Sequence, residues 1–323
     1  MFNVLVKKYG DPDVLIYEKA SGQKINSNSV KIQVKSAGVN FADVLLIKGK
    51  YQERPRPPFS PGLEVSGIIS ELGTEVTSFK VGDKVMAIMK YGGYKTEVVV
   101  PVENTYHIPP SMNILEAGGF PVVYGTAFSA LVEKATIKKN EVCVILGATG
   151  GVGMASVEIA RAYEATVIAC GGSDHKLRAC QEKGANYTIN YNKSIIRNEL
   201  KKIGIHQVDV VIDTVGGQAS LDLVKSLNWN GRIIIVGFTS GSIPEIPANR
   251  LLLRNAKADG LYWGELAYRE PKKIEKDFQI LSQLYTKNML NPTVNKVFKL
   301  RDASLALKAL LERENTGKII LEC

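Results

Sequence analysis

The sequence predicts an α/β protein in which a doubly wound parallel sheet is inserted into a second, mainly β domain. Three observations carry that prediction. Val142-Cys143-Val144-Ile145-Leu146, all apolar, run directly into Gly147-Ala148-Thr149-Gly150-Gly151-Val152-Gly153, and helical spacing of Val152, Ala155, Ile159 and Tyr163 follows at once. Short apolar strands then alternate with helical stretches as far as about Ala256, the pattern of a parallel sheet. On either side of that run the chain changes character, and its strand-like segments are separated by Gly and Pro.

Taken in order, Met1–Lys8 reads as a first strand, its apolar core being too short for a signal peptide. Val30–Val34, Val65–Glu71, Lys84–Ile88 and Thr96–Val100 are the next strands. The alternating run begins near Pro121. It contains strands at Val142–Leu146, Thr166–Cys170, Asn186–Asn190, Val208–Asp213 and Arg232–Val236. Helices are predicted at Asp174–Lys183, Ile195–Ile203 and Ala219–Leu227, besides the one that follows the glycine turn. Beyond it, Lys273–Tyr285 and Ala303–Glu312 are helical, and Ile319–Glu322 is a last strand. The expected division is therefore residues 1–122 for the mainly β domain, 123–256 for the parallel sheet and 257–323 for the return. A crevice between two such domains is the natural place for a substrate.

Strand, glycine turn and helix is the context a dinucleotide-binding fingerprint requires. Side chains in that turn would hold a pyrophosphate away from the backbone N–H groups at the helix N-terminus, so glycine has a chemical reason to be there. The next strand selects the cofactor. An NAD-binding chain usually places a carboxylate roughly 20 residues past the glycines to hold the ribose hydroxyls. Here Val167-Ile168-Ala169-Cys170 ends in Gly171-Gly172-Ser173, with no carboxylate at the tip. A 2′-phosphate would meet no repulsion, Ser173 offers a hydroxyl, and Lys176 supplies a positive charge one turn on. That points to NADPH. Two alternatives stay open: Ser173 caps the helix, a role Asp174 can share, and an Asp174 carboxylate turned toward the ribose would admit NADH.

Length and composition are those of a two-domain soluble protein of 323 residues. No apolar run is long enough to cross a bilayer. Cys143, Cys170, Cys180 and Cys323 show no C-x-x-C spacing, which suits a reducing cytoplasm without a disulfide framework or a cysteine zinc site. The formal net charge of +9 raises nucleic acid as a partner, but the basic residues are spread along the chain. The pairs Lys201-Lys202 and Lys272-Lys273 fall in amphipathic helices, and no aromatic-rich RNA-binding motif accompanies them. The charge therefore reads as solvated helix faces that also attract an anionic cofactor, and nucleic acid is not an expected partner.

Several blocks in a fixed order add a family resemblance that covers essentially the whole chain. They are Ala37-Gly38-Val39-Asn40-Phe41-Ala42-Asp43, Gly49-Lys50-Tyr51, Pro61-Gly62-Leu63-Glu64 and Val81-Gly82-Asp83-Lys84-Val85. Tyr124-Gly125-Thr126-Ala127, the glycine turn and Gly317-Lys318-Ile319-Ile320-Leu321 complete the set. Together they resemble the zinc-free quinone oxidoreductase (zeta-crystallin) branch of the medium-chain dehydrogenase/reductases. Gly260-Leu261-Tyr262-Trp263-Gly264 and the run from Trp229 to Asn249 are similar to the quinone oxidoreductase-like proteins. The resemblance implies a GroES-like catalytic domain around a Rossmann domain, a homodimer, and NADPH-dependent reduction of a small molecule.

It also implies which residues matter. Zinc alcohol dehydrogenases of this superfamily ligate the catalytic metal through a Cys and a His; those positions are Asn40 and Leu63 here, and Ala87–Val98 lacks the cysteines of a structural zinc site. No metal is expected. Without a Lewis acid, an electrophilic acceptor such as a quinone or enone is the easier hydride acceptor, because conjugation carries the new charge to oxygen. Asn40 would orient the nicotinamide ribose or bind the developing oxyanion; it is equally at home as a turn residue. Tyr51 aligns with a proposed proton donor of enoyl thioester reductases and is otherwise an aromatic wall of the cleft. Leu45 stands where some bacterial quinone oxidoreductases have a tyrosine, which makes the pocket more apolar, and Asp43 reads as a helix cap.

For the cofactor, the resemblance carries over Thr126 near the nicotinamide and Gly150, Gly151 and Val152 at the pyrophosphate. It sets Ser173, Lys176, Tyr191 and Arg313 around the 2′-phosphate, and Gly237, Phe238 and Thr239 at the strand end that carries ligands in open sheets. The function implied is an NADPH:quinone reductase acting on quinones or quinone-like enones. Trans-2-enoyl-thioester reduction is the enzymatic rival, and a non-catalytic NADPH- or RNA-binding protein is the rival of another class.

Overall fold

A computed structural model of the chain describes residues 1–313 and 315–323. In chain order these form strands β1 (Phe2–Val6), β2 (Leu15–Lys19) and β3 (Ser29–Val39), then helix α1 (Phe41–Ile47). Strands β4 (Glu64–Leu72), β5 (Lys84–Ile88), β6 (Glu97–Pro101) and β7 (Thr105–His107) and helices α2 (Ile114–Ala117) and α3 (Pro121–Phe128) follow. The alternating run is β8 (Val142–Leu146), α4 (Gly151–Ala162), β9 (Thr166–Gly171), α5 (Asp174–Glu182), β10 (Tyr187–Asn190), α6 (Ile196–Lys202), β11 (Val208–Asp213), α7 (Gly217–Val224) and β12 (Leu227–Ile235). Then come α8 (Ala248–Leu252), β13 (Lys257–Gly260), α9 (Trp263–Arg269), α10 (Pro271–Thr286), β14 (Val294–Lys299), α11 (Ala303–Leu311) and β15 (Lys318–Glu322).

The chain divides into two units: Met1–Val122 with Gly264–Thr286 and Pro292–Cys323, and Val123–Trp263 with Lys287–Asn291. The first is built on a seven-stranded sheet of order β14-β15-β3-β4-β5-β7, with β6 also on β3. Strand β3 is long because both its edges are in use: Val30–Gln33 pair with β6 on one side, and Val30–Ala37 with β4 on the other. Its last residues pair with β15, Val39 opposite Ile319 and Gly38 opposite Ile320. That register brings Lys318, the residue before Ile319, beside Asn40, the residue after Val39. Val30, Ile32, Ile69, Val85, Val98 and Val100 fill the core beneath the sheet, together with Ala306 and Leu307 from α11.

The second unit is a six-stranded parallel sheet of order β10-β9-β8-β11-β12-β13. Val144, Leu146, Ile168, Cys170, Val211 and Ile233 are buried in its core, which is why those strands are near-continuous apolar runs. Two boundaries differ from the sequence reading. Lys257–Gly260 pairs in parallel with β12, so this unit runs to Trp263, past the boundary expected at 256. A strand written Lys-Ala-Asp-Gly at a sheet edge has almost no apolar signature. Likewise α7 stops at Val224 while Leu227 opens β12, because the apolar spacing carries on across a change of element.

Residues 287–291 return to the second unit and are held there by side chains of α4. Glu158 Oε2 accepts from Asn291 N (3.0 Å) and Arg161 Nη2 donates to the Met289 carbonyl (2.6 Å). No helix among the described residues is long and apolar enough to cross a membrane.

Candidate active site

The glycine turn separates into positions the protein needs and one it does not. Gly147 has φ +73, and a Cβ there would lie 2.3 Å from Thr214 Oγ1. A Cβ on Gly153 would lie 2.2 Å from the Gly147 carbonyl, so close approach of turn and helix requires glycine. Gly150 is different. It is the N-cap of α4 with φ −83 and ψ 173, and its nearest neighbour for a Cβ would be 3.5 Å away. Any L-residue fits the backbone there. What its missing side chain leaves open is the approach to the first-turn N–H groups of Gly151 and Val152, which have no partner within the helix. That cradle fits a dinucleotide pyrophosphate.

Residues missed in the sequence hold the turn's other wall. Asp213, wholly buried at the end of β11, accepts from Val215 N and Gly216 N (both 2.9 Å) and from the Ser220 hydroxyl. Thr214 Oγ1 donates to the Leu146 carbonyl (2.8 Å), tying this loop to the end of β8. The loop after β12 is laced onto the same segment. Gly237 N donates to Asp213 O (3.3 Å), and Thr239 N and Oγ1 both donate to Thr214 O (3.1 and 2.9 Å). Gly237, Phe238 and Thr239 are thereby brought to the glycine turn, with Phe238 partly exposed. The available signal was an acid closing an apolar strand just before Thr214-Val215-Gly216-Gly217.

At the tip of β9, Ser173 is the N-cap of α5 in extended conformation, yet its hydroxyl makes no capping hydrogen bond. Asp174 is turned away to β10 and the residues after it: its carboxylate accepts from Asn190 Nδ2 (2.7 Å) and is ion-paired with Lys193. The Lys193 ammonium, followed by the Asn190 amide, holds that carboxyl below the usual range. Tyr191 N donates to Gly171 O (3.1 Å), and Asn192 Nδ2 donates to Gly172 O (3.0 Å), so Tyr191 is drawn to the Gly171-Gly172-Ser173 tip. Lys176 is half-buried on α5. Thr126 is buried on α3, and Arg313 belongs to the first unit, exposed after α11 with φ +54.

The first unit contains a buried polar cluster around Asn40. Asn40 caps α1 with φ −125 and ψ 152. Its Nδ2 donates to Glu64 Oε1 (2.9 Å), and its Oδ1 accepts from Lys318 Nζ (2.5 Å). Lys318 Nζ is also 2.6 Å from Glu64 Oε1, with side-chain exposures of 7% and 0%. Glu64 Oε2 accepts from Val122 N (2.8 Å). A Cβ on Gly38 would fall 2.1 Å from Glu64 Oε1, so the carboxylate packs directly on the β3 backbone.

Beside this cluster, Asp43 accepts from Asn40 N (2.8 Å), Gly62 N (3.0 Å) and Tyr94 OH (3.0 Å). Burial raises its carboxyl to about 7 against the pull of those three donors and of Lys318. Asp43 is thus a structural cap that anchors the Gly62 loop. Tyr51 is partly buried against the apolar core of the same unit.

A GroES-like, mainly antiparallel sheet, interrupted in sequence by a parallel dinucleotide-binding sheet, defines a medium-chain dehydrogenase/reductase. Residues 26–110 match the alcohol dehydrogenase GroES-like domain family, and residues 151–283 match the family described as zinc-binding dehydrogenase. Mouse quinone oxidoreductase-like protein 2 is 35% identical over 309 residues, 95% of this chain and 88% of the mouse protein. Pig quinone oxidoreductase is 30% identical over 329 residues, 99% of this chain and 97% of its own. The fold superposes on Escherichia coli quinone oxidoreductase, solved with NADPH, with a TM-score of 0.93 at 24% identity, covering 100% of both chains. The chain belongs to the quinone oxidoreductase branch of the medium-chain dehydrogenases/reductases, and it is an NAD(P)-dependent oxidoreductase of small molecules.

The name of the second matched family raises zinc, and the donor set at position 40 does not fit it. Asn40 and Leu63 offer neither thiolate nor imidazole; Glu64 is already held by an ammonium, an amide and a backbone N–H, and Asp43 by two backbone N–H groups and a phenol.

Proposed function

We propose that this protein is an NADPH-dependent, zinc-independent reductase that passes hydride to quinones or quinone-like enones. The observation that carries this reading is the Asn40–Glu64–Lys318 cluster. It puts a carboxamide and an ammonium, rather than soft metal ligands, at the position where the family's zinc enzymes activate an alcohol. The cluster is charge-balanced, Lys318 against Glu64, and its carboxamide gives a neutral polar contact in place of a metal's Lewis acidity, which suits an acceptor already electrophilic at carbon. When bound, the nicotinamide supplies the hydride. Asn40 orients the ribose or the acceptor oxygen, and Tyr51 is the phenol that donates a proton.

The preference for NADPH is supported by the β9 tip. Ser173 keeps its hydroxyl out of the helix cap, Lys176 adds charge, and Asp174 is neutralised by Lys193 instead of facing a ribose. Tyr191, Arg313 and the Gly237-Phe238-Thr239 loop belong to the same proposed cofactor set, with Thr126 at the nicotinamide and Gly150, Gly151 and Val152 at the pyrophosphate. A homodimer is supported by the exposed Trp229, Ile243, Leu252 and Leu253 of the second unit, whose strand β13 has one edge unpaired among the described residues.

The test is steady-state oxidation of NADPH and NADH against ortho- and para-quinones, small enones and a trans-2-enoyl thioester. Quinone turnover with NADPH, much reduced with NADH, is the expected result. Preference for the thioester would replace the proposal by fatty-acyl chemistry, and NADPH binding with no turnover would replace it by a non-enzymatic role.

A further inference from the structure

The Asn40 carboxamide has two chemically distinct ends, and the groups around it admit only one orientation. An ammonium has donors alone, and an ionised carboxylate has acceptors alone. Lys318 Nζ therefore faces Oδ1, at 2.5 Å, and Glu64 Oε1 faces Nδ2, at 2.9 Å. Turning the amide over would set its oxygen against the carboxylate and its NH₂ against the ammonium, so both contacts would become repulsive at once. The two charged groups are themselves locked. Lys318 Nζ lies 2.6 Å from Glu64 Oε1 in surroundings that leave those side chains 7% and 0% exposed, and Val122 N holds the other carboxylate oxygen at 2.8 Å. Close packing along the lysine stem adds to this, since a Cβ on Gly119 would come within 2.7 Å of Lys318 Cγ.

A buried charge pair is a poor way to gain stability, because desolvation offsets most of its attraction; its best-attested use is to specify one arrangement over another. Here the arrangement specified is that of the one carboxamide in the cluster. We propose that Lys318 is a positioning residue for Asn40: clamped to Glu64, its ammonium fixes the carboxamide in a single orientation, Nδ2 toward Glu64 and the Gly38 carbonyl (3.5 Å) and Oδ1 toward the ammonium, and so sets how it meets the ribose or the acceptor. This inference rests on the reading of Asn40 given under Proposed function. Glu64 shares the role as the acceptor that selects Nδ2. Both reach Asn40 from far along the chain, Lys318 from 278 residues away and Glu64 from 24.

The test compares N40A, K318M, E64Q/K318M and N40A/K318M in the full-length protein, by NADPH oxidation with a para-quinone and by thermal unfolding. Removal of a single oxyanion donor typically lowers kcat about 100- to 1000-fold, and misplacement by an ångström costs on the order of 100-fold. N40A is expected at the first level. K318M is expected to lose about 10- to 100-fold in kcat, with the acceptor KM within about threefold of the parent, because the lost interaction is made in the transition state.

K318M strands a buried carboxylate and can unfold. E64Q/K318M removes both charges, and is expected to recover thermal stability but not kcat, since Val122 N holds the glutamine oxygen, its NH₂ then faces Asn40, and the amide is turned over. N40A/K318M is expected to be no slower than N40A, because a residue acting through another adds nothing once that residue is gone. Wild-type kcat in E64Q/K318M, or losses in N40A and K318M that multiply in the double variant, would overturn the positioning role while leaving Asn40 in place. Wild-type kcat in N40A would instead overturn the reading of Asn40 itself.

Discussion

Gly150→Ala separates what the fold needs from what the cofactor needs. At φ −83 and ψ 173 alanine meets no backbone strain, and its methyl would sit 3.5 Å from the Gly147 carbonyl, an ordinary contact. Alanine is a poorer N-cap than glycine by about 0.5–1 kcal/mol, and lower unfolded-state entropy returns about 0.4–1 kcal/mol. The net change in stability is within about 0.5 kcal/mol, which moves Tm by no more than about 2 °C in a unit of this size. Cofactor binding should respond very differently. The methyl would stand in the path to the Gly151 and Val152 N–H groups, and two hydrogen bonds to a charged partner are worth about 1.5–3 kcal/mol each. Losing about 3 kcal/mol or more raises the NADPH Kd by at least about 100-fold.

The control is Gly153→Ala, whose methyl would lie 2.2 Å from a backbone carbonyl that cannot step aside. It should cost about 1–3 kcal/mol as overpacking and lower Tm by several degrees. Fluorescence titration with NADPH and thermal unfolding of both variants decide the matter. Gly150→Ala with parental NADPH affinity would refute the assignment of the pyrophosphate to this turn, and Gly150→Ala with a Tm as low as Gly153→Ala would refute the packing argument.

Three further outcomes are expected. Because the Asp43 carboxyl is raised to about 7 when folded, the native state holds a proton over a pH range where the unfolded chain has lost it. Stability should therefore fall as pH rises from about 4 to 7, and urea unfolding of Asp43→Asn should lack that component of the slope. Ser173→Ala should leave Tm nearly unchanged, since the hydroxyl makes no cap bond, while weakening NADPH relative to NADH by about tenfold; Lys176→Ala should act in the same direction. Equal effects on both cofactors would remove these residues from the 2′-phosphate site. Tyr51→Phe should lower kcat with enones by about 100-fold or more, as loss of a general acid does, while quinones, whose reduced form takes its protons from water, stay within a few-fold. Uniform effects on both acceptors would make Tyr51 a pocket wall.

Much of this was legible in the chain because it depends on local pattern. Val142–Leu146 is a buried parallel strand, and five consecutive apolar residues followed by glycines can hardly be anything else. The edge strand Lys257–Gly260 carries no such signal, since an edge needs hydrogen-bond partners more than apolar side chains. The same division runs through the site. Sequence alone determined that a glycine turn follows β8, that no carboxylate ends β9, and that positions 40 and 63 hold an amide and an aliphatic side chain. Those are statements about which residue stands at which place in a local motif.

The tertiary structure alone decided what those residues do to one another. It turned Asp174 toward Lys193, laced the Gly237 loop onto Thr214, and joined Asn40 to Lys318 across 278 residues of chain. The physical reason is that strand and helix patterns are written by the backbone's short periods, whereas the partner of a buried polar group is set by sheet register. Only the pairing of Val39 with Ile319 puts an ammonium beside the amide.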